Sequence, residues 1–378
     1  MASYAGTKLQ LTIKYKTKMK EMKIIYKALF LFILISSIFI FSCMKDDFRP
    51  ISEFNTNSRG VFIVCEGNFM YGNASLSYYS PLEKKIENTI FIRANGIPLG
   101  DVAQSLTIHK NTAWIVINNS GKVYAIDIDN FKIKGKITGL VSPRYMRFVN
   151  EQKAYITDMY AKNIYIVNPE NFSLIKTINI DDASGNFYNH SSEQIVIYED
   201  KLFINTWSYD NKILVINTNT DELIDSIEVF KQPRKIIADK YKNLWVLCDG
   251  GGENSDYQGD AGIVKINMQT HKIENSFIFQ NKENITDMQI NKTGDTIFYV
   301  NKDVFRFHVN SASLPEKAWI SSGNKNIYAI AQDPYNYDFY ISDAVDFMQS
   351  GMIYRFNSNL YCLDSFAVGI IPNSFVFK

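Results

Sequence analysis

VYAIDIDNFKIKGKI, residues 123–137, joins an apolar run of alternating pattern to a polar turn and a second short β-rich run. The same layout returns in IYIVNPENFSLIKTI (164–178) and ILVINTNTDELIDSI (213–227). Alternation with period two is typical of strands, whereas a helix would repeat its apolar face with a period near 3.6. The stretch therefore predicts a repeated unit of short β-strands.

An aromatic residue marks each repeat, in a strand that precedes a polar loop. The strands concerned read VFIV, AWIV, AYIT, LFIN, LWVL, IFYV and FYIS. Their aromatic residues recur at a mean interval of about 46 residues, which is the size of a four-stranded propeller blade. We therefore predict an all-β, seven-bladed β-propeller over residues 59–378. The seven marker residues are Phe62, Trp114, Tyr155, Phe203, Trp245, Phe298 and Tyr340.

A proline or a small polar residue opens the innermost strand of a blade in SPRYMRFV (142–149), QPRKIIAD (232–239) and IPNSFVFK (371–378). We expect the last of these strands to be completed by strands near the other end of the domain, in GVFIVCEG, SLSYYS and IENTIFI. Pairing of the N- and C-terminal strands would close the ring and protect edges that an open sheet exposes.

Charge and cysteine content exclude two classes of protein. The 378 residues carry 40 basic and 39 acidic side chains, a net charge of +1, so no basic field attracts nucleic acid. Cys65, Cys248 and Cys362 lie far apart, with neither zinc-site spacing nor a disulfide framework. We expect all three to be buried free thiols.

The N-terminal region has the layout of a signal peptide. Residues 28–42 carry no charge and follow a lysine-rich stretch, and this apolar run is shorter than the roughly 20 residues that span a bilayer. We predict that residues 1–42 are a cleaved signal peptide with an over-long start, since Met19 or Met22 offers a later one.

Ile40-Phe41-Ser42-Cys43 resembles the lipobox of bacterial lipoproteins. Cys43 is therefore predicted to carry the lipid anchor, with residues 43–58 as a linker. The Lys-Asp-Asp run at 45–47 resembles a surface-export signal of some Gram-negative anaerobes, which predicts an outer-membrane protein that faces the cell exterior. An ordinary secretory peptide, or a weak membrane helix with an incidental cysteine, is the alternative.

Catalytic motifs are absent from the sequence. Its four histidines, His109, His190, His271 and His308, fall in different repeats without metal-site spacing, and no GxSxG motif is present. The glycine-rich run at 248–262 lacks the Lys-Ser/Thr of a phosphate loop and predicts a long hairpin. Asp and Asn in DIDN (127–130) are explained by turn formation rather than by calcium binding. We expect no enzyme activity, no metal and no cofactor.

Loops between the second and third strands of the blades share a rim with the loops that enter the innermost strands. They are rich in Asn, Asp, Tyr, Trp and Met, as in NNSG, DMYAKN, TWSYDN and SDAVDFMQSG. Such a rim suits a large, neutral, hydrogen-bonding ligand, although Asn, Asp and Gly also occur because tight turns require them.

Several long runs resemble the YncE-like propeller lipoproteins, and among them the cobalamin-binding BtuG type. They include NTIFIRANGIPLGDVAQSLTI (88–108), INNSGKVYAIDIDNFKIKGKITGLVSPRYMRFV (117–149) and FAVGIIPNSFVFK (366–378). The resemblance implies a surface lipoprotein that binds cobalamin or another corrinoid and passes it to a TonB-dependent outer-membrane transporter of the BtuB type. Insertions at 181–192 and 249–260 depart from the pattern, in loops where ligand identity would be set.

Twelve residues are predicted to contact the ligand on the rim or the axis. Two other functions stay open: an adhesive surface propeller that binds a protein or a glycan, and a hydrolase or oxidoreductase with a metal in the channel. The twelve residues are Asn118, Asn119, Arg144, Tyr160, His190, Trp207, Tyr209, Arg234, Asp249, Tyr257, Tyr328 and Asp346.

Overall fold

A computed structural model describes residues 59–182 and 190–378, together with Ile51 and a few residues near the N-terminus. The chain forms two compact units, residues 1–50 and residues 51–378. In the first unit the described residues are helical, and they are Met19, Lys20, Met22, Lys23 and Lys27. Cys43, and with it most of the predicted signal peptide and linker, lies outside the described residues. No helix in the described part of the chain is long and apolar enough to cross a membrane.

The second unit is a seven-bladed β-propeller, as the repeat predicts. Seven antiparallel sheets follow one another along the chain. The innermost strand of each sheet contacts the innermost strands of the two neighbouring sheets, and these contacts run around a closed ring. Every sheet in the described chain therefore packs between two others.

The sheets are numbered as blades from the N-terminal end, and their strands are numbered in chain order. Blade 1 contains β1 (Val61–Cys65), β2 (Ser75–Ser80), β3 (Lys85–Glu87) and the last strand, β27 (Pro372–Phe377). Blade 2 contains β4 (Ala103–His109), β5 (Thr112–Ile117), β6 (Lys122–Asp127) and β7 (Ile133–Thr138). Blade 3 contains β8 (Pro143–Phe148), β9 (Ala154–Asp158), β10 (Asn163–Asn168) and β11 (Ser173–Asn179). Blade 4 contains β12 (Ser192–Tyr198), β13 (Lys201–Thr206), β14 (Lys212–Asn217) and β15 (Glu222–Glu228).

The remaining blades follow the same order, from the innermost strand outward. Blade 5 contains β16 (Pro233–Ala238), β17 (Asn243–Cys248), β18 (Gly262–Asn267) and β19 (Ile273–Ile278). Blade 6 contains β20 (Ile285–Ile290), β21 (Thr296–Asn301) and β22 (Asp303–His308). Blade 7 contains β23 (Ile327–Gln332), β24 (Phe339–Asp343), β25 (Ser350–Phe356) and β26 (Cys362–Ile370).

Blade 1 closes the ring as expected. β27 is its innermost strand and pairs antiparallel with β1, with Val61 opposite Phe377 and Ile63 opposite Phe375. Tyr340 of blade 7 packs against both phenylalanines, at 5.7 Å between ring centroids in each case. The prediction that strands from the two ends of the domain complete one blade is confirmed.

The outer part of blade 1 differs from the prediction. IENTIFI was expected to form one strand, but β3 ends at Glu87 and Ile90–Asn95 forms a short helix, α1. Thr89 takes a left-handed φ of 54°, which breaks the strand. The helical turn buries Ile90 and Phe91 together in the core between blades 1 and 2, which a strand with alternating faces would not do.

Blade 6 also departs from the expected four strands. Its sheet has three strands in the described chain, and the segment that follows β22 contributes only an isolated bridge from Ile320 to Val304. Pro315 lies in this segment and cannot donate to a ladder. Trp319 still covers the blade, because its ring packs on Phe298 and Phe339 at 5.2 and 4.8 Å.

The hydrophobic core is divided into seven clusters, one at each junction between consecutive blades. All seven marker aromatics are buried. Each packs into the junction with the following blade: Trp114 of blade 2 faces blade 3, and Trp245 of blade 5 faces blade 6. The regular spacing of the marker aromatics therefore reflects the packing of each blade against the next.

The cysteines follow the prediction in part. Cys65 and Cys248 are buried free thiols, and burial raises the pKa of Cys65 to about 12. Cys362 is exposed, contrary to expectation, because it begins the outermost strand of blade 7.

Candidate functional site

A cavity of about 510 Å³ opens at one end of the central tunnel, and we call it the upper cavity. Loops that follow the second strand of a blade form its lip, and the first residues of the innermost strands form its wall. Proline opens three of these innermost strands, β8, β16 and β27, and the residue after each proline lines the cavity. This arrangement confirms that the two sets of loops share one rim.

Seven of the twelve predicted ligand contacts line the upper cavity. Four lie in loops after second strands, and three lie at or near the start of innermost strands. Asn118, in the first group, donates from Nδ2 to Ser142 Oγ (2.8 Å) and to Pro143 O (3.2 Å). The seven are Asn118, Asn119, Arg144, Tyr160, Trp207, Arg234 and Tyr328.

Arg144 and Glu193 form an ion pair on the wall. Nε and Nη2 of Arg144 both lie 2.6 Å from Oε1 of Glu193, and the two side chains are 12% and 5% exposed. Burial alone would lower the pKa of Arg144, but the carboxylate of Glu193 raises it above its usual value. Arg144 therefore keeps its charge, and the Glu193 carboxylate lies within ion-pair distance to compensate it.

Trp207, Arg234 and Asp249 form a second polar cluster. Trp207 donates from Nε1 to Oδ2 of Asp249 over 3.2 Å, and Arg234 lies 3.7 Å from the same oxygen. The guanidinium of Arg234 also lies over the Trp207 ring at 5.6 Å and donates to the Thr286 carbonyl at 3.0 Å. These contacts fix the indole at the cavity wall and match the arginine to a carboxylate.

Lys235 and Asp287 form a third pair below these clusters, at 3.2 Å. Burial would lower the pKa of Lys235, and the charge of Asp287 outweighs it and raises that pKa. Asp287 also accepts hydrogen bonds from the backbone of Met288 and Ile330, both at 2.9 Å. The lysine is thus held charged in the tunnel by a well-anchored partner.

Glu66 differs from these paired charges. Its carboxylate accepts from Tyr328 Oη at 3.2 Å and from Asn373 Nδ2 at 3.0 Å. Burial nevertheless raises the pKa of Glu66, against the effects of these hydrogen bonds and of the more distant Arg144. Asn373 Nδ2 makes further bonds to backbone carbonyls, and its Oδ1 is buried without a donor among the described residues.

Five predicted contacts do not line the upper cavity. His190 lies within the predicted 181–192 insertion, of which residues 183–189 lie outside the described chain, and it bonds to Asp210 through both its backbone N–H (2.6 Å) and Nδ1 (2.9 Å). Asp346 accepts from the N–H groups of Met348 and Gln349 in an exposed turn.

The other three, Tyr209, Asp249 and Tyr257, lie outside the cavity lining, on the Trp207 loop and on the neighbouring 249–260 hairpin. Tyr209 packs edge-on against Tyr257, with 5.6 Å between ring centroids, and Lys231 lies 4.6 Å over the Tyr257 ring. Asp249 supports Trp207 and Arg234 without facing the cavity. The 249–260 insertion is thus a hairpin between β17 and β18, as predicted, that backs one wall of the site.

Residues that the sequence reading missed lie mainly on innermost strands and on the blade 1 loop. The sequence does contain a signal for some of these residues. Pro143, Pro233 and Pro372 each open an innermost strand, and the two residues after each proline line the tunnel. The missed wall residues with polar, charged or aromatic side chains are Glu66, Phe69, Gln104, Ser142, Tyr145, Glu193, Lys235, Thr286 and Asn373.

A second cavity of about 400 Å³ lies beyond the first along the tunnel, and we call it the lower cavity. Four residues line both cavities and separate them: Gln104, Tyr145, Lys235 and Asn373. We call these four the waist. In the described chain no group of three or more His, Cys, Asp or Glu side chains is placed to hold a metal ion.

A family model described as a domain of unknown function, DUF5074, matches residues 59–365. No curated protein matches the chain. A quinoprotein alcohol dehydrogenase-like protein from Bacteroides thetaiotaomicron is 15% identical, with a TM-score of 0.63, and the match covers 84% of this chain and 77% of that one. A protein from Lactobacillus plantarum is 11% identical, with a TM-score of 0.62 over 85% of this chain and 99% of that one. Apo AztD from Citrobacter koseri is 10% identical, with a TM-score of 0.53 over 85% and 98%. At such identities these structures share the fold alone.

Proposed function

We propose that this chain, which belongs to the DUF5074 family, captures a large, neutral ligand of the corrinoid class, such as cobalamin, in its upper cavity without chemical turnover. One observation carries the proposal: each cation on the cavity wall has a carboxylate beside it, and burial raises the pKa of Glu66, the wall carboxylate that forms no ion pair among the described residues. Glu193 compensates Arg144, Asp249 lies beside Arg234, and Asp287 compensates Lys235. The wall therefore offers a ligand hydrogen bonds and aromatic surface rather than net charge.

The residue types that face the cavity suit an extended ring with peripheral amides. Tyr145, Tyr160 and Trp207 supply aromatic surface, and the amides of Asn118 and Asn119 can donate and accept. The buried Oδ1 of Asn373 accepts no hydrogen bond from the described protein, so an amide N–H of a ligand would satisfy it.

The size of the site supports a ligand that projects from it. Small-molecule sites enclose about 300–1,000 Å³, and the upper cavity, at about 510 Å³, would hold only part of a corrinoid. The rest would lie against the lip, where Phe69 and Val141 line the cavity and yet are 62% and 58% exposed. Large apolar side chains exposed at the mouth of a cavity are typical of binding surfaces.

Cell-surface location and delivery to a transporter complete the proposal. They are supported by the lipobox-like sequence before Cys43 and by the YncE-like resemblance. The chain would be held in the outer membrane by lipid on Cys43, face the exterior, and pass its ligand to a TonB-dependent transporter of the BtuB type. A Cys43→Ala variant should lose incorporation of labelled palmitate and leave the membrane fraction.

Isothermal titration of the purified protein with cyanocobalamin tests the binding function. We expect tight binding with one ligand per chain. Cobinamide, which lacks the nucleotide loop, reports whether the ring and its amides suffice. If neither compound binds, the corrinoid assignment is wrong, and a glycan or protein partner becomes the function to test.

A further inference from the structure

The lower cavity contains a cation that no carboxylate of the described residues neutralises. Arg147 lines this cavity from β8, three residues along the chain from Arg144 in the upper one. Its Nη1 donates to Thr107 Oγ1 at 2.7 Å and to the Met146 carbonyl at 3.1 Å, and both acceptors are neutral. No carboxylate pairs with Arg147 among the described residues.

Arg147 differs in this respect from other cations of the tunnel, which have carboxylate partners. Arg144 and Lys235 have carboxylate partners at 2.6 and 3.2 Å. Arg147 and Lys235 are the charged side chains that line the lower cavity within the described chain, and the charge of Lys235 is offset by Asp287. The lining therefore carries a net positive charge that comes from Arg147.

A half-buried guanidinium without a counter-ion is costly for the fold. An arginine keeps its proton even in an apolar site, and burial lowers the pKa of Arg147 without neutralising it. Withdrawing an ion from water without pairing it is unfavourable, so such groups are usually compensated by a partner. Of the five N–H donors of the guanidinium, the contacts above use only those on Nη1.

Other donors lie in the same cavity. Ser374 lines it, and its Oγ is buried without a partner in the described chain. Gln194 also lines it. Its Oε1 accepts a hydrogen bond from the Ile236 N–H at 2.9 Å, so its amide N–H groups are available to an acceptor. A forked cation accompanied by hydroxyl and amide donors is the donor set that recognises an oxyanion.

We propose that the lower cavity is a second binding site, which takes a small oxyanion, either inorganic or the carboxylate of a compact organic acid, on the guanidinium of Arg147. This site is separate from the upper cavity, because the waist lies between them. The ligand of the lower site is charged, whereas the ligand proposed for the upper cavity is neutral.

The first test measures the thermal stability of the purified protein in sodium phosphate, sodium acetate and sodium chloride at matched ionic strength. A ligand that binds only the folded state raises Tm, so phosphate or acetate should raise it by about 2 °C or more over chloride. Arg147→Gln should abolish this rise, while Arg306→Gln, at an exposed arginine of blade 6, should retain it. An equal rise in the two variants, or no rise in the wild-type protein, would overturn the proposal.

The stability of Arg147→Gln in chloride alone separates binding from a structural role. A binding arginine that is costly to bury predicts a Tm at least as high as that of the wild type. A structural arginine predicts a lower one, and that result would count against the site.

A second measurement needs no variant. Phenylglyoxal modifies arginine side chains, and mass spectrometry reports the rate at each position. The anion that raises Tm should slow modification of Arg147 severalfold and leave Arg306 unchanged. Equal rates at Arg147 with and without the anion would exclude an oxyanion on this group.

Discussion

Both Nε and Nη2 of Arg144, on β8, lie 2.6 Å from one oxygen of Glu193, on β12, so that a single carboxylate joins the innermost strands of blades 3 and 4. The same contact compensates the charge of Arg144 on the wall of the upper cavity. One pair thus contributes to the ring and to the chemical character of the site.

Glu193→Gln should therefore affect both properties. Removing one partner of a buried pair leaves the other charge uncompensated, and we expect a loss of about 3 kcal/mol in the free energy of unfolding, measured by urea denaturation. The exposed pair of Lys212 and Glu228, at 3.0 Å, offers a control. Glu228→Gln should cost less than about 1 kcal/mol. Equal losses in the two variants would show that the Arg144 pair has no special role.

Trp207 and Tyr209 are both aromatic residues of the rim, but they occupy different positions relative to the upper cavity. Trp207 lines the upper cavity, whereas Tyr209 lies outside its lining and packs on Tyr257. Trp207→Ala should weaken cyanocobalamin binding roughly tenfold or more, because an aromatic contact is lost. Tyr209→Ala should change the affinity less than about threefold. Titration calorimetry measures both, and a larger effect at Tyr209 would move the site outward along the rim.

Glu66 makes stability depend on pH in a definite direction. Burial raises its pKa above the ordinary value of 4.5, so between 4.5 and the raised pKa the folded state binds a proton that the unfolded state has released. Stability contributed by this group is present below pH 4.5 and is lost as the pH rises through the folded-state pKa.

Glu66→Gln removes this titration. The Tm of the variant minus the Tm of the wild type should therefore become more positive as the pH increases. Calorimetry at a series of pH values measures this difference. Glu316→Gln, at an exposed position, serves as the control, and its Tm should depend on pH in the same way as that of the wild type. A Tm difference between Glu66→Gln and wild type that stays constant with pH would contradict the raised pKa.

Deletion of residues 372–378 should abolish cooperative unfolding. It removes β27, and with it the inner edge pairing of β1 and two rings that pack on Tyr340. Deletion of Lys378 alone keeps all of β27 and is the matched control. Circular dichroism during heating distinguishes them, and a truncated protein with the Tm of the control would show that the closing strand is dispensable.

The fold was predictable because one physical requirement is repeated seven times. Each blade must bury its faces against two neighbours, and the marker aromatic supplies the packing toward the following blade, so Phe62, Trp114 and the others recur at regular spacing. Departures occurred where a local feature breaks the repeat. Thr89 adopts a left-handed φ and turns an expected strand into a helix, and Pro315 lies where blade 6 lacks a fourth strand.

The candidate site was less predictable, because its walls come from side chains whose direction the repeat does not specify. Loop residues such as Trp207 were found from composition alone. Glu66 and Glu193 were not, because an acidic residue beside a strand gives no sign that it faces the axis. Tyr257 is a large aromatic residue in a loop, but its packing against Tyr209 depends on how the 249–260 hairpin folds back, which periodicity does not encode.

The pairing of β1 with β27 also delays the completion of blade 1 during synthesis of the chain. Val61 and its partner Phe377 are separated by about 300 residues, which a ribosome adds in roughly 15–60 s at its usual 5–20 residues per second. Throughout that interval the first blade lacks its innermost strand, and β1 presents an open, fully apolar edge. Nascent chains of this protein are therefore expected to need shielding by a holding chaperone until synthesis of the last strand.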